Sequence, residues 1–339
     1  MHEKSDTNLQ KPVPIWERPI EIGFRDVGAA LAKIGSAIIL QEWLNVADGV
    51  VDIVSALGIS ARKPDELAWL LIYRALLQAM VSISHDHPSL TKQEVDLDLL
   101  CGQIDLTLEK SSITLSNNFF EQPKQLPILE VVIEAYRQWL ITHRIPEADA
   151  KSISERLPQY FVYELNRQWG QSVETYEVLR KELDTPFSKA NAREQAWACY
   201  FAWLQKCIDE PMFGEAFSLR QIYIPLRAYY IEKFRKSGSD KIKRQVRVVV
   251  DLESALDNWL SSQEREDAIR VICGGPGCGK SSFTKIWAAK VAYQGHIPVL
   301  RIPLFQIDPS KDLVDAIEDW IQSDLDNLLP PNPLTRKNA

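Results

Sequence analysis

Nine consecutive residues constrain this chain more than any others: Gly274, Gly275, Pro276, Gly277, Cys278, Gly279, Lys280, Ser281 and Ser282. A glycine, four residues and then Gly-Lys-Ser is the phosphate-loop pattern. Glycines let the backbone turn so that successive N–H groups point inward at one phosphate chain. A lysine at 280 is placed to reach the β- and γ-phosphates as a point charge, and a hydroxyl at 281 to hold Mg²⁺. The pattern means little unless a strand precedes it and a helix follows. Residues 268–273 form a short apolar run that reads as a buried strand. Residues 281–293 carry Phe283, Ile286, Trp287 and Val291 at helical spacing, with the stem of Lys290 beside them. The start of such a helix adds its dipole to an anion site.

The chain is 339 residues long, enough for two or three domains and a substantial core. Its formal net charge of −7 argues against a protein that coats nucleic acid generally, while leaving room for a local basic patch. Five cysteines, Cys101, Cys199, Cys207, Cys273 and Cys278, show neither metal nor disulfide spacing, and Cys278 sits inside the loop, where a disulfide would obstruct it. This usage points to a reducing, cytoplasmic compartment. The first 18 residues read as a polar lead-in without signal-peptide character. The stretch 27–57 is apolar but interrupted by Lys33, Gln41, Glu42, Asn45, Asp48 and Asp52, so it lacks the run of about 18 apolar residues that a membrane span needs.

Taken in order, residues 26–44 read as an amphipathic helix with Leu31, Ile34, Ile38 and Trp43 inward, and 50–57 continue the apolar content up to Gly58. Pro64, Asp65 and Glu66 form a helix start, and 67–83 are apolar around most of the circumference, as in a helix buried within a bundle. Residues 89–127 are ambiguous between strand and helical turns. Further helices fall at 128–143, at 148–169 with a break at Pro158, at 175–183 and at 192–208, the last rich in aromatics (Trp197, Tyr200, Phe201, Trp203). Residues 219–226 look extended, and 233–244 read as a basic, polar linker. Then come a strand at 246–250, a helix at 252–260, the loop and its helix, a strand at 299–305 and an amphipathic helix at 313–325. Strand–helix–strand–helix order implies a parallel βαβ unit. The expected fold is a mainly α N-terminal helical domain (1–210), a linker region (211–244) and a partial α/β P-loop NTPase domain with a parallel sheet (245–339).

Beyond residue 213 the chain resembles the NACHT branch of the STAND nucleotide-binding ATPases. The resemblance is carried by residues 219–226, by Val250, Asp251 and Leu252 leading a helix with Trp259 and Leu260, by the loop with its tandem serines, by 298–304 and by the acidic helix through Trp320. The helical region resembles those that precede NACHT modules. The resemblance implies ATP and Mg²⁺ as cofactors, with Ser281 as the metal-binding hydroxyl, and a nucleotide-dependent homo-oligomer. It further implies a role in bacterial defence against phage, with the helical region as effector or adaptor. Family members also carry an acidic, magnesium-coordinating strand and sensor regions further along, which this sequence does not reach, so slow hydrolysis at most is expected. The run 246–251 ends in an acid but precedes the loop, the wrong order for that strand. Two other readings stand beside the switch ATPase: a nucleotide-binding interaction protein that does not hydrolyse, and a membrane-acting helical effector using 27–57.

Other features have blander readings. His85, Asp86 and His87 before a proline turn read as a solvated loop rather than a metal site. The basic linker reads as a solvated hinge, and the aromatics of 197–203 as core packing rather than base stacking. No Ser/His/Asp or Cys/His catalytic pattern is readable.

Overall fold

The computed structural model describes residues 15–17, 22–34, 54, 57–58, 63–87, 90, 97–110, 113–116, 119–172, 174–183, 192–212, 216–235, 242–262, 268–295 and 297–324. The expectations for most of 35–57, for the linker residues 236–241 and for the prolines beyond 329 lie outside these residues.

The N-terminal region is built around one helix. Helix α1 (Phe24–Ile34) leads to α2 (Pro64–His85), which begins at a proline and carries Asp65 and Glu66 in its first turn. Every residue of α2 from Leu67 to Ser84 is buried, so it has no polar face. Its covers come from α6 (Leu157–Gln171), α7 (Glu177–Leu183) and α1. Two of the polar side chains that α2 takes into this core find partners there. Arg74 Nη1 donates to Tyr176 Oη at 3.1 Å, and Ser84 Oγ lies 2.8 Å from Tyr136 Oη, as buried polar atoms require. Tyr136 belongs to α4 (Ile128–Thr142), whose buried residues Val132, Ala135, Tyr136, Trp139 and Leu140 repeat at helical spacing.

Residues 97–108, ambiguous in sequence, form a single helix, α3 (Leu97–Leu108), with Leu100, Cys101, Ile104 and Leu108 inward. Its Asp105 carboxylate accepts from the backbone N–H groups of Phe24 and Arg25 at 2.8 and 2.9 Å, so α3 caps the start of α1. Gly23 permits this approach, since a Cβ there would lie 2.7 Å from Asp105 Oδ2. A short antiparallel pair, β1 (Ile15–Glu17) with β2 (Thr114–Ser116), completes this side. The helix expected at 148–169 is two: α5 (Glu147–Ser154) and α6, with Pro158 in the first turn of α6, where its missing N–H costs nothing.

Helix α8 (Ala192–Cys207) leaves this bundle and enters a second core. That core joins Tyr200, Leu204 and Ile208 to Leu219 of the short helix α9 (Leu219–Ile222). It also takes in Ala289 and Ala292 of α11 (Lys280–Gln294) and Ile317, Trp320 and Ile321 of α12 (Leu313–Asp324). The aromatics of 197–203 are thus packing residues: Tyr200 is fully buried and Trp197, Phe201 and Trp203 pack against the same cluster.

The C-terminal part departs from expectation in its sheet. Strand β3 (Arg227–Arg235) pairs antiparallel with β4 (Ile242–Asp251), from Arg227 opposite Asp251 to Arg235 opposite Ile242. Two of the residues read as linker, Lys233 and Arg235, therefore belong to a strand, as do Lys243 and Arg244. No parallel pairing occurs among the described residues. Residues 268–273 and 298–303 have no regular secondary structure and carry no ladder, Leu304–Gln306 at the end of the second expected strand form a helical turn, and Ile269 and Val271 are each 79% exposed. An apolar extended segment becomes a strand only when a neighbour accepts and donates its hydrogen bonds, and the described backbone supplies none at these two places. Residues 219–222, read as extended, are the helical turn α9; Gln221 Oε1 accepts from the Ser218 N–H at 2.8 Å, half of a capping box.

Candidate functional site

The nine residues 274–282 form one loop-and-turn at the start of α11. Gly277 and Gly279 have φ of +74° and +87°, left-handed conformations that glycine adopts without penalty. Gly279 is also a close-packing point: a Cβ there would lie 3.3 Å from Leu226 Cδ1. At Gly274 a Cβ would come within 2.6 Å of Cys278 Sγ. Three of the loop's four glycines thus answer to a turn or to a close approach. Helix α11 starts on the left-handed Gly279, whose carbonyl accepts from Phe283 N at 2.8 Å. No acidic side chain occupies its first turn, so the positive end of its dipole faces the loop.

Lys280 folds back across the loop. Its ammonium donates to Gly274 O at 2.7 Å and Gly275 O at 2.9 Å and lies 3.6 Å from Cys278 Sγ. The side chain is therefore held at the mouth of the turn by carbonyls. Ser281 is exposed and Ser282 half-buried. The set fits a polyphosphate: a glycine cradle, one cation at its mouth, a helix N-terminus and a hydroxyl. For Mg²⁺ it offers the Ser281 hydroxyl alone. Among the described residues no group of three His, Cys, Asp or Glu is placed to hold a metal.

Asp251, which ends the run before the loop, and Asp308, the first acid after it, are both engaged locally. Asp251 Oδ1 accepts from Ser254 N at 2.8 Å, capping α10 (Leu252–Ser262), and this hydrogen bond holds its carboxyl below the usual range. Asp308 Oδ1 accepts from Ser310 N at 2.9 Å and from Ser310 Oγ at 2.6 Å.

Helix α10 clamps α11 from the side. Lys290 pairs with Glu253 and, at 2.7 Å, with Asp257, while Trp287 Nε1 donates to Asp257 Oδ1 at 2.9 Å. Partial burial works against the Asp257 carboxylate, yet the hydrogen bonds from Lys290 and Trp287 prevail and hold its carboxyl below the usual range. Leu252, Leu256 and Phe283 form a small core beneath this clamp. Beside the loop lies a cleft of about 1300 Å³ lined by Arg227, Tyr229, Tyr230, Trp259, Arg270 and Lys280 among others. Sequence reasoning missed β3, which supplies one wall of it. The alternation of Tyr229 and Ile231 with Tyr230 and Glu232 was the signal available.

Elsewhere, His85, Asp86 and His87 make no metal site. Asp86 caps α2 and accepts from Tyr160 Oη at 2.8 Å. Burial raises its carboxyl above the usual range. His87 is held below 6.5 by burial and by the Arg156 charge.

A mainly helical N-terminal region packed against a loop-and-helix unit defines the class of the chain. Residues 16–219, more than half its length, match the family model of the NACHT N-terminal helical domain 3, and the chain belongs to that family. No curated protein and no solved structure matches it.

Proposed function

We propose that this chain binds ATP with Mg²⁺ at residues 274–282 and works as the nucleotide-dependent switch of a NACHT-type STAND protein. In this reading its helical region is the effector or adaptor, and the setting is bacterial antiphage defence in the cytoplasm. The observation that carries the reading is the junction at Gly279–Lys280. Two left-handed glycines open a 15-residue helix, and the Lys280 ammonium bridges Gly274 O and Gly275 O across the turn. In the nucleotide-bound state the loop N–H groups and Lys280 hold the β- and γ-phosphates, and the Ser281 hydroxyl is one ligand of the metal. Segments 268–273 and 298–303 are read as strands of a P-loop-type parallel sheet, and the bound form as a homo-oligomer.

Phosphoryl transfer needs an acid on the metal and a group that orients water. Asp251 and Asp308 both spend their carboxylates on local caps, which favours a second reading: nucleotide binding for assembly, with hydrolysis slow or absent. The membrane-acting reading has less support. Its proposed element, 27–57, lies mostly outside the described residues, and the one described helix long and apolar enough to cross a bilayer, α2, is buried from Leu67 to Ser84.

A fluorescent ATP analogue, titrated with and without Mg²⁺, tests the site. Lys280→Ala is expected to abolish detectable binding, and Ser281→Ala to weaken mainly the Mg²⁺-dependent part. Unchanged affinity in the Lys280 variant would overturn the assignment.

A further inference from the structure

Helix α8 has two working sides, and each holds a different part of the molecule. On one side Tyr200, Leu204 and Ile208 pack with Ala289 and Ala292 of α11. There the Gln205 Nε2 donates to Ala289 O, a carbonyl in the interior of the helix that begins at Lys280. Gln205 Oε1 in turn accepts from Arg220 Nη2 at 3.1 Å, and Arg220 Nε donates to Asp209 Oδ1 at 2.8 Å. On the other side the next residue, Lys206, lies over the rings of Tyr160 and Tyr163 of α6, at 4.8 and 5.5 Å from their centroids, and pairs with Glu210 at 3.2 Å. Tyr160 Oη donates to Asp86 Oδ2 at 2.8 Å, and Asp86 is the cap of α2. Consecutive residues of one helix therefore grip the loop helix and the centre of the helical bundle.

We propose that α8 is the coupling element of this chain. In this role, which rests on the nucleotide reading above, Gln205 passes displacement of α11 to α8, and Lys206 passes it on to the C-terminal end of α2. The physical basis is stiffness and polar satisfaction. Ala289 lies nine residues along α11 from Lys280, about 13 Å by helical rise, so the two move as parts of one rod. The Gln205 amide is buried, and leaving it or its partners without hydrogen bonds is costly, so it follows Ala289 O when α11 shifts. At the far end Lys206 is sunk among aromatic rings and carboxylates, and close-packed contacts of that kind answer a shift by switching arrangement rather than by yielding.

Hydrogen–deuterium exchange on the full chain, with and without a non-hydrolysable ATP analogue and Mg²⁺, reads both ends at once. In the wild type, the analogue is expected to change exchange in peptides covering 274–294. It is also expected to change, by at least threefold, the rate in peptides covering 80–87 and 157–165. Gln205→Leu removes both hydrogen bonds of the amide, and Gln205→Glu removes only the donor to Ala289 while keeping the acceptor for Arg220. Either variant should bind the analogue within about twofold of wild type and keep the change at 274–294, yet lose the remote one. The Glu variant serves if the Leu variant does not fold. A response at 274–294 with none at 80–87 in the wild type, or a remote response that survives both variants, overturns the coupling role and leaves the nucleotide site standing. Absence of binding in the wild type overturns both.

Discussion

Adding a methyl group at either left-handed glycine of the loop separates backbone strain from packing. Gly277 and Gly279 share the same conformational region, but a Cβ at Gly277 meets nothing within 4 Å, whereas one at Gly279 lies 3.3 and 3.5 Å from the two terminal methyls of Leu226. Placing alanine in the left-handed region costs about 1–2 kcal/mol, so Gly277→Ala should destabilise by that amount alone. Gly279→Ala adds a contact tighter than ordinary van der Waals distance, worth on the order of another 1 kcal/mol, for a total of about 2–3 kcal/mol. Leu226→Ala removes the crowding methyls. Combined with Gly279→Ala it should be less damaging than the sum of the two single changes, with a coupling of about 1 kcal/mol in a double-mutant cycle. Urea unfolding followed by far-ultraviolet circular dichroism measures all four proteins, and titration with the fluorescent ATP analogue measures what each does to the site. Gly277→Ala costing more than Gly279→Ala, or additivity of the Leu226 and Gly279 changes, would refute the claim that Gly279 is a close-packing point against Leu226.

Three further outcomes follow from burial and charge. Under native conditions a thiol reagent such as DTNB should titrate Cys273 and Cys278 quickly, because both are exposed, while burial pushes the thiols of Cys101, Cys199 and Cys207 up to about 12. MgATP should slow the reaction at Cys278, and equal rates at all five would contradict the packing. His87, held below 6.5 in the folded chain, binds fewer protons folded than unfolded, so its contribution to stability is fully present above pH 6.5 and is lost as pH falls from 6.5 towards the lowered value. His87→Gln should flatten the stability–pH curve in that window, and an unchanged slope would place its titration elsewhere. Trp139→Ala deletes a fully buried ring in contact with Tyr136 and His143. It should cost about 3–5 kcal/mol and lower Tm by on the order of 10 °C, and a shift under about 2 °C would mean that the site collapses around the gap.

The parts of this chain that were legible in its sequence are those whose causes are local. Pro64, Asp65 and Glu66 mark the start of α2 whatever surrounds them, and the glycines at 277 and 279 announce left-handed turns by themselves. Helix α3 was legible in principle, since Leu100, Cys101, Ile104 and Leu108 fall on one helical face, but the acids among residues 95–100 imitated alternation. Ser218 and Gln221 carried the capping signal for α9, masked by the β-favouring Ile222, Tyr223 and Ile224 that follow. What could not be read is what depends on distant partners. An apolar run at 268–273 states that a strand would be tolerated, not that a neighbour lies alongside. The basic residues Lys233, Arg235, Lys243 and Arg244 suggested a linker because nothing local shows that β3 pairs with β4. The two sides of α8 were invisible for the same reason, since Gln205 and Ala289 are 84 positions apart.

The all-round apolarity of α2 has a consequence during synthesis. Its 22 residues are hydrophobic enough to pass for a membrane span, and α6, which covers it, begins 72 residues after its end, at Leu157 against His85. At about 5–20 residues per second, a ribosome takes about 4–14 s to make that intervening chain. Until α4 emerges and Tyr136 can meet Ser84, and with its main cover α6 still to come, a greasy rod hangs from the ribosome, and it offers factors that sort nascent membrane proteins the same signal as a true anchor. The order in which the cover is translated therefore matters as much to the fate of this chain as the strength of the finished core.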